Sequence, residues 1–244
     1  MPERPYRQYC ALARALDVAG DRWTLLIIRE LAPGRRRFSD LIDGLPGISR
    51  PLLTERLRGL EREGVVARRE LPPPAARQVY ELTDDGRDLV LAIGPLIAWG
   101  ARRLGDRDPS ESFRPRWPTL GMVALADREA AKGVHDTYQF LVDGTAFHFT
   151  VDDGAIELHD GEAQEPAVTW RTDEATWAAI AAGEITASSA TAAGALTVDG
   201  DPEAARRLRR IFSRSHMLAT AGRGEAGRGE AGRALRAASS PART

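Results

Sequence analysis

A single cysteine, Cys10, stands in 244 residues, which excludes an intrachain disulfide framework and a cysteine-cluster metal site. No apolar run approaches the ~18–20 residues that span a bilayer, so no membrane partner is expected. The opening MPERPYRQYC holds no apolar stretch followed by a small-residue cleavage site. No signal peptide is therefore expected, and the reading is a soluble, cytoplasmic protein. Enzymatic signatures are missing too. The histidines, His135, His148, His159 and His216, include no i, i+4 ligand pair. No Gly-rich phosphate loop follows a strand, and no G-x-S-x-G elbow occurs. His135-Asp136 and His159-Asp160 are neighbours whose side chains diverge on a strand. Neither catalysis nor a metal nor a cofactor is expected. Lysine is nearly absent as well: Lys132 is the only one among 34 basic residues, a compositional bias to which no mechanism attaches.

What is there suffices for a folded protein. Hydrophobic residues make up 43% and charged residues 28%, enough to bury a core and exclude global disorder. The length favours two domains. The net charge of -1 conceals a division. Residues 1–104 carry 18 Arg against 14 acidic residues, net +4. Residues 112–213 carry eight Arg and one Lys against 16 acids, net -7. A basic front beside an acidic back points to a polyanion partner for the front alone.

The front reads as short helices and a hairpin. Leu12, Leu16 and Ala19 share a helix face, and Gly20 ends that helix. Asp21 can cap a second helix with Trp23, Leu26, Ile27 and Leu31 on one stripe, stopped by Pro33-Gly34. Phe38, Leu41, Ile42 and Leu45 repeat at helical spacing. Ser49 suits the N-cap of a fourth helix, with Pro51 in its first turn and Leu53, Leu57 and Leu60 facing inward. Val65 to Leu71 and Arg77 to Leu82 read as strands around Pro72-Pro73-Pro74. Thr83 can cap a last helix with Leu89, Ile93, Leu96, Ile97 and Leu104 on its face and a kink at Pro95.

The period then changes. Tyr138, Phe140 and Val142, then Phe147, Phe149 and Val151, alternate around Asp143-Gly144. Ile156 and Leu158 lie between two further Asp-Gly pairs, and Val168 and Trp170 alternate again, which predicts an antiparallel meander. Thr172 can cap a helix bearing Trp177 and Ile180, closed by Gly183. A strand around Leu196 and Val198 and a helix from Pro202 to Phe212 follow. The expected organisation is a mainly-α winged helix-turn-helix domain over 1–104, a polar linker over 105–112, an α+β domain with an antiparallel sheet and helices over 113–213, and an Ala/Gly/Arg-rich disordered tail over 214–244. The tail contains tandem AGRGE pentads.

A helix-turn-helix followed by a hairpin suits double-stranded DNA, one helix entering the major groove. Turning the fourth helix at 100° per residue groups Leu53, Leu57 and Leu60 within roughly 40°, while Pro51, Thr54, Glu55, Arg58 and Arg62 fall roughly 100–200° away. Arg50 sits at the exposed first turn. That face offers Arg for guanine, Thr for a base edge or thymine methyl, and Glu for cytosine; a solvated charged face is the competing reading. Arg35, Arg36 and Arg37 suit phosphate contact or plain solvation.

The segment CALARALDVAGDRWTLLIIRELAPGRRRFSDLIDGLPGISRPLLTERLRGLEREGVVARRE, with YELTDDGRDL after it, resembles the HxlR-type branch of winged-helix bacterial regulators, related to the MarR group. The resemblance implies a transcriptional regulator, most simply a repressor. It would act as a homodimer joined through terminal helices on a pseudo-palindromic operator. Carried over, Ser49, Arg50, Pro51, Thr54, Glu55 and Arg58 supply the base-reading face, with Arg36 and Arg37 near the backbone and Arg68, Arg69 and Arg77 in the wing. The tip LPPPAA departs from the pattern; stiff and uncharged, it argues against deep minor-groove insertion. Relatives of this type often carry a cysteine near the position of Cys10, some sensing oxidants. Tyr9, Ala11 and Leu12 offer it no adjacent base, so redox sensing and an inert packed thiol both stand.

EPAVTWRTDEATWAAIAAGEITASSATAAGALTVDGDPEAARRLRRIF resembles the sterol carrier protein family in its bacterial form. That implies a sheet with helices on one side enclosing an apolar tunnel for a lipid-like or other hydrophobic effector. Candidate lining residues are Trp117, Met122, Phe140, Phe147, Phe149, Trp170, Trp177, Ile180, Ile185 and Phe212, each of which could equally be core. A second function class stands beside the regulator: a small-molecule carrier whose winged helix serves dimerisation.

Overall fold

The computed structural model describes residues 5–72, 77–105, 108, 110–213 and 216. The tip of the expected wing, part of the expected linker and nearly all of the expected tail lie outside the described residues.

The front half is α1 (Ala11–Ala19), α2 (Thr24–Leu31), α3 (Phe38–Gly44), α4 (Arg50–Arg62), β1 (Val66–Glu70), β2 (Gln78–Leu82) and α5 (Asp84–Ala101). Its core forms where the helical stripes meet. Ile27, Ile28 and Leu31 of α2, Leu41 and Leu45 at α3, and Leu53, Leu57 and Leu60 of α4 are all 0–2% exposed. Each such side chain contributes about 1.5–3 kcal/mol by leaving water. The hairpin pairs Val66 with Leu82, and Arg36 adds one isolated bridge to it. Arg36 N donates to the Tyr80 carbonyl at 3.0 Å, and Tyr80 N donates back at 2.7 Å.

Two helices differ from the sequence expectation. Asp21 does not cap α2; it pairs with Arg56 at 3.0 Å, and α2 begins after Trp23, which is left-handed at φ 81°. Trp23 therefore lies outside the helix, and the buried side of α2 is Thr24, Ile27, Ile28 and Leu31, with Leu26 exposed. On α5 the buried side is Val90, Ile93, Gly94 and Ala98, while Leu91, Leu96, Trp99 and the following Leu104 face outward. The cause is α6 (Trp117–Leu125), which lies along α5. A Cβ at Gly94 would sit 2.9 Å from the Ala124 Cβ, so only glycine allows the helices this close. No periodicity announces α6, because WPTLGMVAL is apolar all round and lacks a helical period. Its two sides serve two cores: Leu120 joins the front one and Val123 the back one.

The back half is β3 (His135–Val142), β4 (Thr145–Asp152), β5 (Ala155–Asp160), β6 (Val168–Thr172), α7 (Glu174–Ala182), α8 (Ala187–Ala192), β7 (Leu196–Gly200) and α9 (Pro202–Ile211). Asp143-Gly144 and Asp153-Gly154 make the two hairpins, with positive φ at all four residues, the twist that two-residue loops require. The sheet order is β5-β4-β3-β6-β7. It is mixed, which corrects the antiparallel meander: β6 runs parallel to β3. After β5 the chain crosses the sheet and is caught on the open edge of β3. Ala167 N donates to the Thr137 carbonyl at 2.8 Å, and the buried Gln139 accepts from Ala163 N at 2.6 Å. Asp173 rather than Thr172 caps α7, accepting from Thr176 N at 2.7 Å. Thr172 Oγ1 donates to the Ala195 carbonyl instead. Among the described residues no helix is long and apolar enough to cross a membrane, and no group of three or more His, Cys, Asp or Glu could hold a metal ion.

Candidate nucleic-acid interface

The outward face of α4 follows from how its inward face is fixed. Ser49 accepts from Leu52 N at 3.3 Å and caps the helix, with Pro51 in the first turn. With the three leucines buried, Ser49, Arg50, Pro51, Glu55, Arg58 and Arg62 are exposed and Thr54 is half-buried. Thr54 Oγ1 donates to the Arg50 carbonyl at 2.9 Å, which aims its methyl and oxygen along the helix. Arg56, turned to the flank, is consumed by Asp21 and by Glu55 at 2.7 Å. Glu55 is thus partly neutralised. Among the described residues, Arg58 and Arg62 enter no ion pair. The Arg50 guanidinium lies 5.9 Å from the Phe38 ring, within reach of a weak cation–π contact.

The wing holds its arginines more firmly. Arg68 donates to Gln78 across the hairpin. Arg69 Nε donates to Glu81 Oε1 at 3.0 Å, and Arg35 Nε to Glu81 Oε2 at 2.6 Å. The Arg69 hydrogen bond, with Arg35 adding to it, holds the Glu81 carboxyl below the usual carboxylate range. Arg77 is exposed at the end of the described strand. Arg37 is exposed at the start of α3, where its backbone N–H donates to Asp40 at 3.0 Å.

Arg36 takes a different place from its two neighbours. Its side chain is only 12% exposed. Nε donates to the Glu30 carbonyl at 3.1 Å, and Nη1 pairs with Asp160 at the end of β5. Burial first, and then the nearby Arg116, hold this guanidinium below its ordinary range. The expected phosphate ligand is therefore buried between the two halves, because a carboxylate from the acidic half reaches it first. Sequence reasoning missed Glu30, Arg116 and Asp160, which build this junction. A carboxylate inside the α2 stripe was the one available signal.

The effector candidates divide. Phe140, Phe147, Phe149, Trp170 and Trp177 form one layer of rings, with Phe140 and Phe147 stacked at 5.3 Å and Phe149 meeting Phe212 at 4.9 Å. Met122 and Ile180 are half-buried against it. Trp117 is not in that layer. Its Nε1 donates to Glu30 at 2.9 Å at the junction. Ile185 is exposed on the surface. Cys10 is exposed at the start of α1.

Residues 18–108 match the HxlR-like helix-turn-helix model, and residues 121–213 match the SCP-2 sterol transfer family. An uncharacterised HTH-type transcriptional regulator of Mycobacterium tuberculosis is 47% identical over 90 residues, covering 37% of this chain and 56% of that protein. The chain thus spans little more than half the length of that relative. The HTH-type regulator YvaP of Bacillus subtilis is 39% identical over 97 residues, 40% of this chain and 87% of YvaP. The solved structure of the reduced form of YodB from B. subtilis aligns with 41% of this chain and all of its own, at 32% identity and a TM-score of 0.37. The chain belongs to the HxlR-like helix-turn-helix family and carries an SCP-2 sterol transfer family domain behind its winged helix.

Proposed function

We propose that this protein regulates transcription, most simply as a repressor, by binding a pseudo-palindromic operator as a homodimer. The observation that carries the reading is the exposed side of α4. Arg50, Thr54, Glu55 and Arg58 stand outward on a helix whose opposite side is seated in the core. A rigid helix offering a donor fork, a methyl and a carboxylate is what base edges in the major groove select. Dimerisation is supported by the apolar stripe Leu91, Leu96 and Trp99 on α5 and by Leu12 and Leu16 on α1, all exposed in one subunit. Stripes of this kind are costly unless covered.

The effector would be hydrophobic and would enter the aromatic layer of the back half. Trp170 Nε1 is buried there without a hydrogen-bond partner. A buried indole N–H left unpaired costs about 1–3 kcal/mol, so a ligand that brings a carbonyl or carboxyl oxygen recovers that cost. The test of the DNA reading is a gel-shift titration against the protein's own promoter. Sequence-selective binding that weakens steeply with salt is the expected result. Arg58→Ala should weaken it by about 1–3 kcal/mol and relax preference at one position of each half-site. Equal affinity of wild type for scrambled DNA would reject the reading.

A further inference from the structure

Residues 114–117, between the two cores, are gripped from both sides. From the back, Trp177 Nε1 donates to the Pro115 carbonyl at 2.8 Å, and Arg116 Nε lies 2.8 Å from Asp160 Oδ1. From the front, Trp117 Nε1 reaches Glu30, its ring lies under the Arg29 guanidinium at 4.2 Å, and Arg114 donates to the Asp43 carbonyl at 3.3 Å. Both rear grips lead into the aromatic layer. Trp177 packs 5.5 Å from Phe140 and 6.0 Å from Phe147, and Asp160 is the register partner of Phe147 on the next strand. Arg36 joins the rear grip Asp160 to the front residue Glu30, whose carbonyl accepts from Arg36 Nε at 3.1 Å, and leads on to the reading head. Asp160 holds Arg36, whose backbone is bonded to Tyr80 of the wing and whose successor opens α3.

The geometry points to this strap, residues 114–117 together with Asp160, as the coupling element that carries the packing state of the aromatic layer to α3 and the wing. The consequence for DNA rests on the regulator reading above; the mechanical link does not. Its two ends differ in firmness. Glu30 Oε1 accepts from Arg29 Nε at 3.1 Å, from Arg29 Nη2 at 2.8 Å and from Trp117 Nε1 at 2.9 Å. It is also enclosed, since a Cβ at Gly44 would lie 2.5 Å from its Oε2. The Asp160 end is less completely satisfied: Arg116 Nε and Asp160 Oδ1 form an ion pair at 2.8 Å without hydrogen-bond alignment, and Arg36 Nη2 is buried without a hydrogen-bond partner. A network that is only partly satisfied loses less on rearranging than a complete one. Coupling between sites needs an element with two accessible arrangements. The front end is the pivot and the Asp160 end is the part that yields. Trp177, Arg116 and Asp160 are positioning residues, acting on the interface through Arg36.

Hydrogen exchange on the full chain at neutral pH tests the link without any ligand. Four proteins are compared: wild type, Trp177→Phe, Asp160→Asn, and Leu208→Ala, a core change on α9, which among the described residues makes no hydrogen bond or ion pair to the strap. Trp177→Phe and Asp160→Asn should each raise amide exchange in α3 and β2 by about threefold or more. Leu208→Ala should loosen α9 and β7 and leave α3 and β2 within about twofold of wild type. Unchanged exchange in α3 and β2 for both strap variants overturns the proposal, and so does an equal rise in Leu208→Ala. If Trp177→Phe fails to fold, Asp160→Asn decides alone. A duplex selected by wild type from a random pool separates this from the regulator reading: Asp160→Asn should change its Kd at least threefold. Failure of wild type to select any duplex rejects the regulator reading, and the exchange result still decides the strap.

Discussion

Replacing Phe140 with alanine asks whether the aromatic layer is a packed core or the wall of an open tunnel. Phe140 is 1% exposed. Its ring centroid lies 5.3 Å from Phe147, 5.6 Å from Phe149, 5.4 Å from Trp170 and 5.5 Å from Trp177. Removing such a ring from a closed core costs about 3–5 kcal/mol, as lost transfer energy plus the cavity left behind. The neighbours here come from β4, β6 and α7, so no single side chain can collapse into the gap, and we place the loss near ~4 kcal/mol. With a urea slope of about 2 kcal/mol/M for a domain of this size, the midpoint should fall by about 2 M. Tryptophan emission follows the transition, because Trp170 and Trp177 lie within the layer. Along an open tunnel the same change would only widen existing space and cost little more than part of the transfer energy. A midpoint shift below about 0.7 M at unchanged slope would refute the packed-core reasoning. A packed core also implies that an effector must displace rings to enter, which is the kind of change the strap would transmit.

Two further outcomes are expected. Leu96→Glu places a charge in the exposed apolar stripe of α5 and should weaken the dimer at least tenfold by sedimentation velocity, about 1.4 kcal/mol; an unaltered dimer would remove that stripe from the interface. Asp136 accepts from Arg207 Nε at 2.6 Å, Arg207 Nη2 at 3.0 Å and the buried Tyr138 hydroxyl at 2.7 Å. Burial raises its pKa, but these hydrogen bonds outweigh burial and leave the carboxyl below its ordinary value. A depressed folded pKa stabilises above the unfolded value of about 4 and is lost as pH falls through the folded one. The stability gap between wild type and Asp136→Asn in thermal melts should therefore be full at neutral pH and shrink below about pH 4. A gap independent of pH would contradict this.

What was legible in the sequence was local. Ser49 as a cap and Leu53, Leu57 and Leu60 as a stripe need only the helix's own geometry, and both stand as expected. The Asp-Gly hairpins of β3 to β5 need only two residues each. What escaped was decided at a distance. The partner of β6 is β3, and the chain between β5 and β6 carries no periodicity that could announce a parallel pairing. Arg36 and Asp160 are 124 positions apart, and nothing in RRR distinguishes the middle arginine from its neighbours. The helix α6 is apolar on every side because it is shared by two cores, the case in which amphipathic pattern vanishes.

The fate of the individual arginines bears on how DNA would be held. An arginine already paired with a carboxylate adds little to counterion release, because its charge is spent before phosphate arrives. Arg36 is spent on Asp160, Arg35 and Arg69 share Glu81, and Arg56 is spent on Asp21 and Glu55. Arg58 and Arg62 remain uncommitted on α4, with Arg50 at its exposed first turn and Arg37 at the start of α3. The segment between β1 and β2, by contrast, carries no charge over LPPPAA. The acidic half, net -7, is tied to the hairpin where Asp160 pairs with Arg36, whose backbone bridges Tyr80 of β2. On the proposed reading, phosphate and base contacts fall first to these uncommitted arginines and to the exposed Arg77 beside β2, while the paired arginine of the hairpin, Arg69, contributes less.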